Sequence, residues 1–87
     1  MTEKKWFVYI LRCGDGSLYT GITDDVQRRL EMHRSGKGAK YTRGRGPLEL
    51  VHEEEWDTKS LALHREAEIK SMTRQQKIAL LEREGES

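Results

Sequence analysis

The chain has 87 residues, 34% hydrophobic and 36% charged, and its 16 Lys/Arg against 15 Asp/Glu leave a net charge of +1. That length holds one small domain, because a chain of this size buries only roughly 60% of the surface its unfolded form exposes and has nothing left for a second core. The single cysteine, Cys13, excludes an internal disulfide, the scattered His33, His52 and His64 match no zinc-ligand spacing, and the first apolar run, Trp6 to Leu11, is far too short for a signal-peptide core or a membrane span.

Trp6-Phe7-Val8-Tyr9-Ile10-Leu11 is aromatic and β-branched, Gly14-Asp15-Gly16 supplies turn chemistry, and Leu18-Tyr19-Thr20-Gly21-Ile22 resumes the strand pattern, so the segment reads as a β-hairpin. Asp24 with Gln27 three residues on forms a capping box. Val26, Leu30 and His33 share one face of the helix it opens, and Gly36-Lys37-Gly38 ends that helix. Residues 28 to 45 carry seven Lys/Arg and one acid, Glu31, a local charge of +6 concealed by the total. Within that stretch Lys37 to Pro47, with Gly38, Gly44 and Gly46 among its basic residues, reads as a loop or a loop with a short helical turn. Leu48 to Trp56 is the third strand, with Leu48, Leu50 and Val51 as its inward residues, and Glu49 to Asp57 holds five acids without a Lys or Arg. After an Asp57-Thr58 cap, Leu61 to Met72 is a second helix; Thr73 with Gln76 opens a third through Ile78 and Leu81, and residues 84–87 fray. The predicted fold is α/β in the broad sense, specifically α+β: one domain over residues 1–87, a small three-stranded antiparallel sheet flanked by about three helices in the order β-β-α-β-α-α. A soluble, cytoplasmic protein with no membrane partner is expected.

The hairpin register places two tyrosines. With Gly14 to Gly16 as the loop, Cys13 opposes Ser17, Leu11 opposes Tyr19 and Tyr9 opposes Gly21, so Tyr9 and Tyr19 share a face and Gly21 leaves a hollow beside the Tyr9 ring where a backbone or ligand can approach. Most strand tyrosines are packing residues. On the first helix Arg29 lies one turn before His33, and its planar donors suit two phosphate oxygens at once. His33 is a proton carrier, a phosphate donor or an edge-of-core residue. In the second helix Glu66 borders one edge of the apolar stripe and Glu68 the other, and spacing leaves the choice open. A single carboxylate suits Mg²⁺, which keeps most of its waters and takes further ligands from substrate phosphate. Neither Gly36-Lys37-Gly38 nor Gly44-Arg45-Gly46 is a phosphate loop, since no Ser or Thr follows a lysine at the required spacing. The basic stretch itself is able to neutralise phosphates by counterion release, although most charge runs are solvated faces.

With Val8-Tyr9 on one strand, Tyr19-Thr20-Gly21 ten residues later and Arg29 ten beyond Tyr19, the chain resembles the GIY-YIG nuclease domain over nearly its whole length. It looks closest to small stand-alone bacterial proteins of that family, through Tyr-Thr-Gly-Ile-Thr, Arg-Arg-Leu, His33, Ser-Gly-Lys-Gly-Ala-Lys and Arg-Glu-Ala-Glu-Ile-Lys. Phe7 and Thr20 stand where the motif has Gly and Ile. The resemblance implies Tyr9 and Tyr19 as the motif tyrosines, Gly21 as the motif glycine, Arg29 as the catalytic arginine, His33 as the accessory histidine and Glu66 as the metal ligand. It implies an endonuclease that hydrolyses phosphodiester bonds in DNA or RNA with Mg²⁺ or Mn²⁺, in repair or processing, as in the catalytic domains of excision-repair and homing nucleases. Nucleic acid, DNA foremost, is then the partner. Arg28, Lys37, Lys40, Arg43 and Arg45 would track the backbone, with Tyr41 stacking on bases. A tyrosine base at pH 7 needs a lowered pKa, since about one phenol in a thousand is ionised at the ordinary value near 10, and Arg29, the metal and His33 are its sources of positive charge. Two other classes stand beside this one: a nucleic-acid-binding accessory domain without catalysis, and a protein-interaction domain using the acidic Glu49 to Asp57 stretch.

Overall fold

The computed structural model describes residues 4–85. Strands β1 (Trp6–Arg12) and β2 (Leu18–Thr23) are followed by α1 (Val26–Arg34), a short 3-10 turn at Lys40–Thr42, β3 (Glu49–Trp56), α2 (Lys59–Lys70) and α3 (Arg74–Gly85). The sheet is antiparallel with order β2-β1-β3, the arrangement expected from the sequence.

β1 is central, and its composition explains why. Val8, Ile10, Ala62 and Ile69 form one buried cluster, while Tyr9, Leu11, Cys13, Leu30 and Leu48 form another. Alternate β1 side chains therefore enter cores on opposite faces of the sheet, and only a strand buried on both faces is apolar at successive positions. The hairpin register is the one read from a three-residue loop: Leu11 pairs with Tyr19 and Tyr9 with Gly21. On the other edge Ile10 pairs with His52 but Leu11 with Leu50, so Val51 is the extra residue of a β-bulge. Leu50 consequently packs with the Tyr9 cluster and Val51 with the Val8 cluster.

The helix ends follow their local chemistry, with two shifts. The N-cap of α1 is Asp25, whose carboxylate accepts from the Arg28 amide at 3.1 Å, whereas Asp24 pairs with Lys4 at 2.9 Å. Thr23 decides this by accepting the Asp25 amide through Oγ1 at 3.1 Å, holding the chain one residue beyond the expected cap. Gly36, with φ of 82°, ends α1 in a Schellman arrangement: its amide donates to His33 O at 3.1 Å and that of Lys37 to Met32 O at 2.8 Å. Thr58 caps α2 through Leu61 N at 3.1 Å, starting the helix two residues before the expected Leu61. The capping box of α3 is complete, Thr73 N donating to Gln76 Oε1 at 2.8 Å and Gln76 N to Thr73 Oγ1 at 3.1 Å. Of the expected fray, Gly85 closes α3 and residues 86 and 87 lie outside the described residues. No described helix is long and apolar enough to cross a membrane.

The basic loop is docked rather than free. Gly14 N donates to Arg45 O at 2.6 Å, and a Cβ on Gly14 would run into the Gly46 carbonyl. The hairpin turn and residues 45–46 can touch only because Gly14 has no side chain.

Candidate functional site

Tyr9 and Tyr19 come from adjacent strands onto the face covered by α1, with ring centroids 6.3 Å apart. His33 completes a group of three rings, 5.7 Å from Tyr9 and 5.2 Å from Tyr19. Gly21 makes this possible. A Cβ there would stand 2.6 Å from Tyr9 Oη and 3.1 Å from Tyr19 Cε2, so the hollow expected beside the Tyr9 ring is filled by the two tyrosines themselves and admits no ligand.

A hydrogen-bond chain fixes the protons. Thr42 Oγ1 donates to Ala39 O at 3.0 Å and lies 2.8 Å from His33 Nδ1, while Tyr9 Oη lies 2.8 Å from His33 Nε2. Thr42 has one proton and gives it to the carbonyl, so it accepts from His33 Nδ1–H. Nε2 is then the acceptor, and Tyr9 O–H donates to it. His33 is buried, 2% exposed. Desolvation, with the Arg29 charge second, holds its imidazole below the ordinary 6.5, so it is neutral at pH 7.

Arg29, half-buried on α1, brings its guanidinium within hydrogen-bonding reach of both phenols. Glu66, from α2, acts electrostatically on Tyr9. Two strands and α1 thus bring two phenols and a guanidinium together, and the Glu66 carboxylate of α2 lies near enough for its charge to bear on Tyr9. The lowered pKa that a tyrosine base needs is not found at Tyr9, which is pushed up to about 12. Burial outweighs the hydrogen bond from Arg29, and the neighbouring Tyr19 and Glu66 oppose a negative charge there.

The two helix glutamates, equivalent by spacing, differ in place. Glu68 is exposed and bound to Arg65 at 2.7 Å, whereas Glu66 is partly buried and pairs with Lys70 at 3.3 Å. Among the described residues no group of three or more His, Cys, Asp or Glu is positioned to cage a metal. A lone carboxylate beside a basic centre fits a hard divalent cation that keeps its waters and shares a phosphate, and does not fit a closed protein site.

The basic segment contributes unevenly. Tyr41 stacks on Tyr19 at 5.8 Å and 30°, with the Arg45 guanidinium 4.5 Å from its ring centre. Arg45 is also paired with Asp15 at 2.5 Å, an acid held down to about 2 by hydrogen bonds from Ser17 and then by Arg45. Tyr41 is therefore engaged with the site's own aromatic group rather than standing free for bases. Arg28, Lys37, Lys40 and Arg43 are exposed and make no ion pair among the described residues.

Sequence reasoning passed over Thr42 and Gly38. A Cβ on Gly38 would overlap the His33 ring and approach its Cα to 2.9 Å, so this glycine lets the loop fold back over the histidine. The Gly-x-Gly after α1 was a visible signal, although it read only as a helix stop.

Comparison with known proteins places the chain in a family. Residues 5–79 match the GIY-YIG catalytic domain. A UPF0213 protein of Haloquadratum walsbyi is 60% identical over 76 residues, 87% of this chain and 85% of that one. Another from Staphylococcus epidermidis is 58% identical over 78 residues, 90% of this chain and 95% of that one. Among solved structures, the UPF0213 protein BH0048 of Bacillus halodurans has 51% identity and a TM-score of 0.60, covering 90% of this chain and 83% of that one. The protein EF2693 of E. faecalis has 41% identity and a TM-score of 0.67, covering 99% and 92%. The chain belongs to the GIY-YIG catalytic domain family, a family of nuclease type, and to its UPF0213 branch.

Proposed function

We propose that the chain is an endonuclease domain dependent on a divalent metal, hydrolysing phosphodiester bonds in DNA or RNA during repair or processing in the cytoplasm. The observation that supports this reading is the meeting of Tyr9, Tyr19 and Arg29, from three separate elements, around one centre, with the charge of Glu66 on α2 acting on Tyr9.

In this reading Glu66 would hold Mg²⁺ or Mn²⁺. When bound, such an ion polarises a phosphoryl oxygen and stabilises the charge developing on it. Arg29 binds the non-bridging oxygens of the scissile phosphate, where its fork and permanent charge count most in the transition state. A water forms the new P–O bond while the bridging P–O bond opposite breaks; the water's proton passes to a tyrosine in its phenolate form, and the departing oxygen leaves as an alkoxide that takes a proton from solvent. Tyr19 suits this step, being half-buried and next to Arg29. Tyr9 suits a positioning role, since its proton is committed to neutral His33 and its pKa stands at about 12.

The test is incubation of the purified protein with Mg²⁺ or Mn²⁺ and a panel of duplex, flap, branched and single-stranded DNA and RNA. Metal-dependent nicking is expected, reduced by at least about 100-fold in Arg29→Ala and in Glu66→Ala. Tyr19→Phe should lower the rate by about 10²–10⁴, and Tyr9→Phe by less. Cleavage that survives both Arg29→Ala and Glu66→Ala rejects the proposal. Tight binding without product across the panel leaves the accessory, non-catalytic role.

A further inference from the structure

Arg74 and Lys77, in the first turn of α3, lie outside every feature of the site described so far, yet they line a cleft with Tyr41. A cleft of about 180 Å³ is lined by Ser17, Leu18, Tyr41, Arg74 and Lys77, bringing the hairpin, the basic loop and α3 together. Arg74 Nη2 donates to the Gly16 carbonyl at 3.0 Å, which fixes the guanidinium and leaves its other donors for a ligand. Neither Arg74 nor Lys77 has an acidic partner among the described residues. Lys77 is half-buried, and a cation partly withdrawn from water without a counter-charge gains from an anion more than a fully solvated one does. The helix amides are not the attraction, because Thr73 and Gln76 already occupy the N-terminal capping positions.

Tyr41 ties this cleft to the candidate active centre. Its ring lines the cleft and stacks on Tyr19 at 5.8 Å, and Leu18, the neighbour of Tyr19 in β2, lines the cleft as well. We propose that Arg74 and Lys77 form a phosphate-binding subsite for the backbone of the nucleic-acid strand, beside the scissile phosphate and separated from it by Tyr41. The subsite rests on the reading of the chain as a nucleic-acid-binding protein, and it holds whether or not the bound strand is cut. It accounts for a cationic pair on α3 that stabilises no fold contact beyond Gly16 O. It also adds an anchor from α3 beside Tyr41 of the basic stretch at residues 28–45, so that the strand is held by two separate elements.

The experiment measures binding of fluorescently labelled single-stranded and duplex oligonucleotides by anisotropy, without divalent metal, over a range of salt concentrations. The full-length chain is compared with Arg74→Gln/Lys77→Gln, with Lys77→Gln alone, which removes no fold contact, and with Lys40→Gln/Arg43→Gln. Expected is a loss of affinity of about tenfold or more in the α3 double variant. The slope of log K against log salt should fall by about 1–2, with about half that change in Lys77→Gln. If both α3 variants keep the affinity and salt slope of the parent while Lys40→Gln/Arg43→Gln loses them, the subsite is overturned and the nucleic-acid reading stands. If the parent chain itself binds no oligonucleotide, both are overturned.

Discussion

The phenol of Tyr9, the imidazole of His33 and the hydroxyl of Thr42 stand in series, and the series ends on a backbone carbonyl that can only accept. Each proton position follows from that last acceptor, so the neutral state of His33 is built into the fold. The consequence for stability has a definite sign. His33 is held below its ordinary 6.5, so just beneath that pH the folded chain binds fewer protons than the unfolded chain. The stabilisation is complete above the unfolded value and is lost as pH falls through the window below it. The urea midpoint should therefore drop between about pH 7.5 and about pH 5.5, and His33→Gln should flatten that step while lowering stability by about 1–3 kcal/mol at neutral pH. An unchanged pH step in the variant would show that other groups produce it.

Elements bring these residues together only where the chain can approach itself. The loop after α1 folds over His33 because Gly38 has no Cβ, whereas a Cβ on Gly46 would meet open space. Gly38→Ala is expected to cost about 1–3 kcal/mol through overpacking and to displace the loop, while Gly46→Ala stays within about 0.5 kcal/mol. Thermal denaturation of the pair decides this, and equal melting temperatures would refute it. A second link fixes α2, the helix that carries Glu66. Arg65 donates to both oxygens of Glu54 on β3, at 2.9 Å and 3.0 Å, and Glu54 also meets His52 at 2.7 Å and the Trp56 indole at 3.1 Å. Burial opposes the Glu54 charge, and hydrogen bonds led by Arg65 nevertheless hold its carboxyl below the usual range. Removing Arg65 alone strands a partly buried carboxylate, so Arg65→Met should destabilise by about 1–3 kcal/mol. Glu54→Gln/Arg65→Met should recover part of that loss, and a double-mutant cycle by urea denaturation measures the coupling. Additive effects would mean the two residues act independently.

Over the whole molecule, stability is concentrated in β1, which pairs on both edges and feeds a core on each face. The amides of Val8 to Leu11 should be the slowest to exchange with solvent deuterium, opening only with global unfolding, and those between Lys37 and Arg43 the fastest. Heteronuclear NMR reads both sets, and faster exchange in β1 than in α2 would contradict the prediction. Element order, sheet class and hairpin register were legible in the sequence because they depend on local rules: a turn of fixed length, alternation along a strand, and caps three residues from their partners. The cap of α1 moved by only one residue, since neighbouring Thr and Asp side chains compete for the same amides, and α2 kept its expected Thr58 cap while starting two residues early. The bulge at Val51, the closing of Gly21 by Tyr9, the hold of Thr42 on His33 and the separation of Glu66 from Glu68 were not legible. Each depends on which atoms from distant parts of the chain occupy the same space. The rise of the Tyr9 pKa belongs with them, because burial is a property of everything packed around a side chain. The residues alone determined which chemical groups the protein can gather at the candidate site; only tertiary packing decided how far each was withdrawn from water, and so which form it holds its protons in.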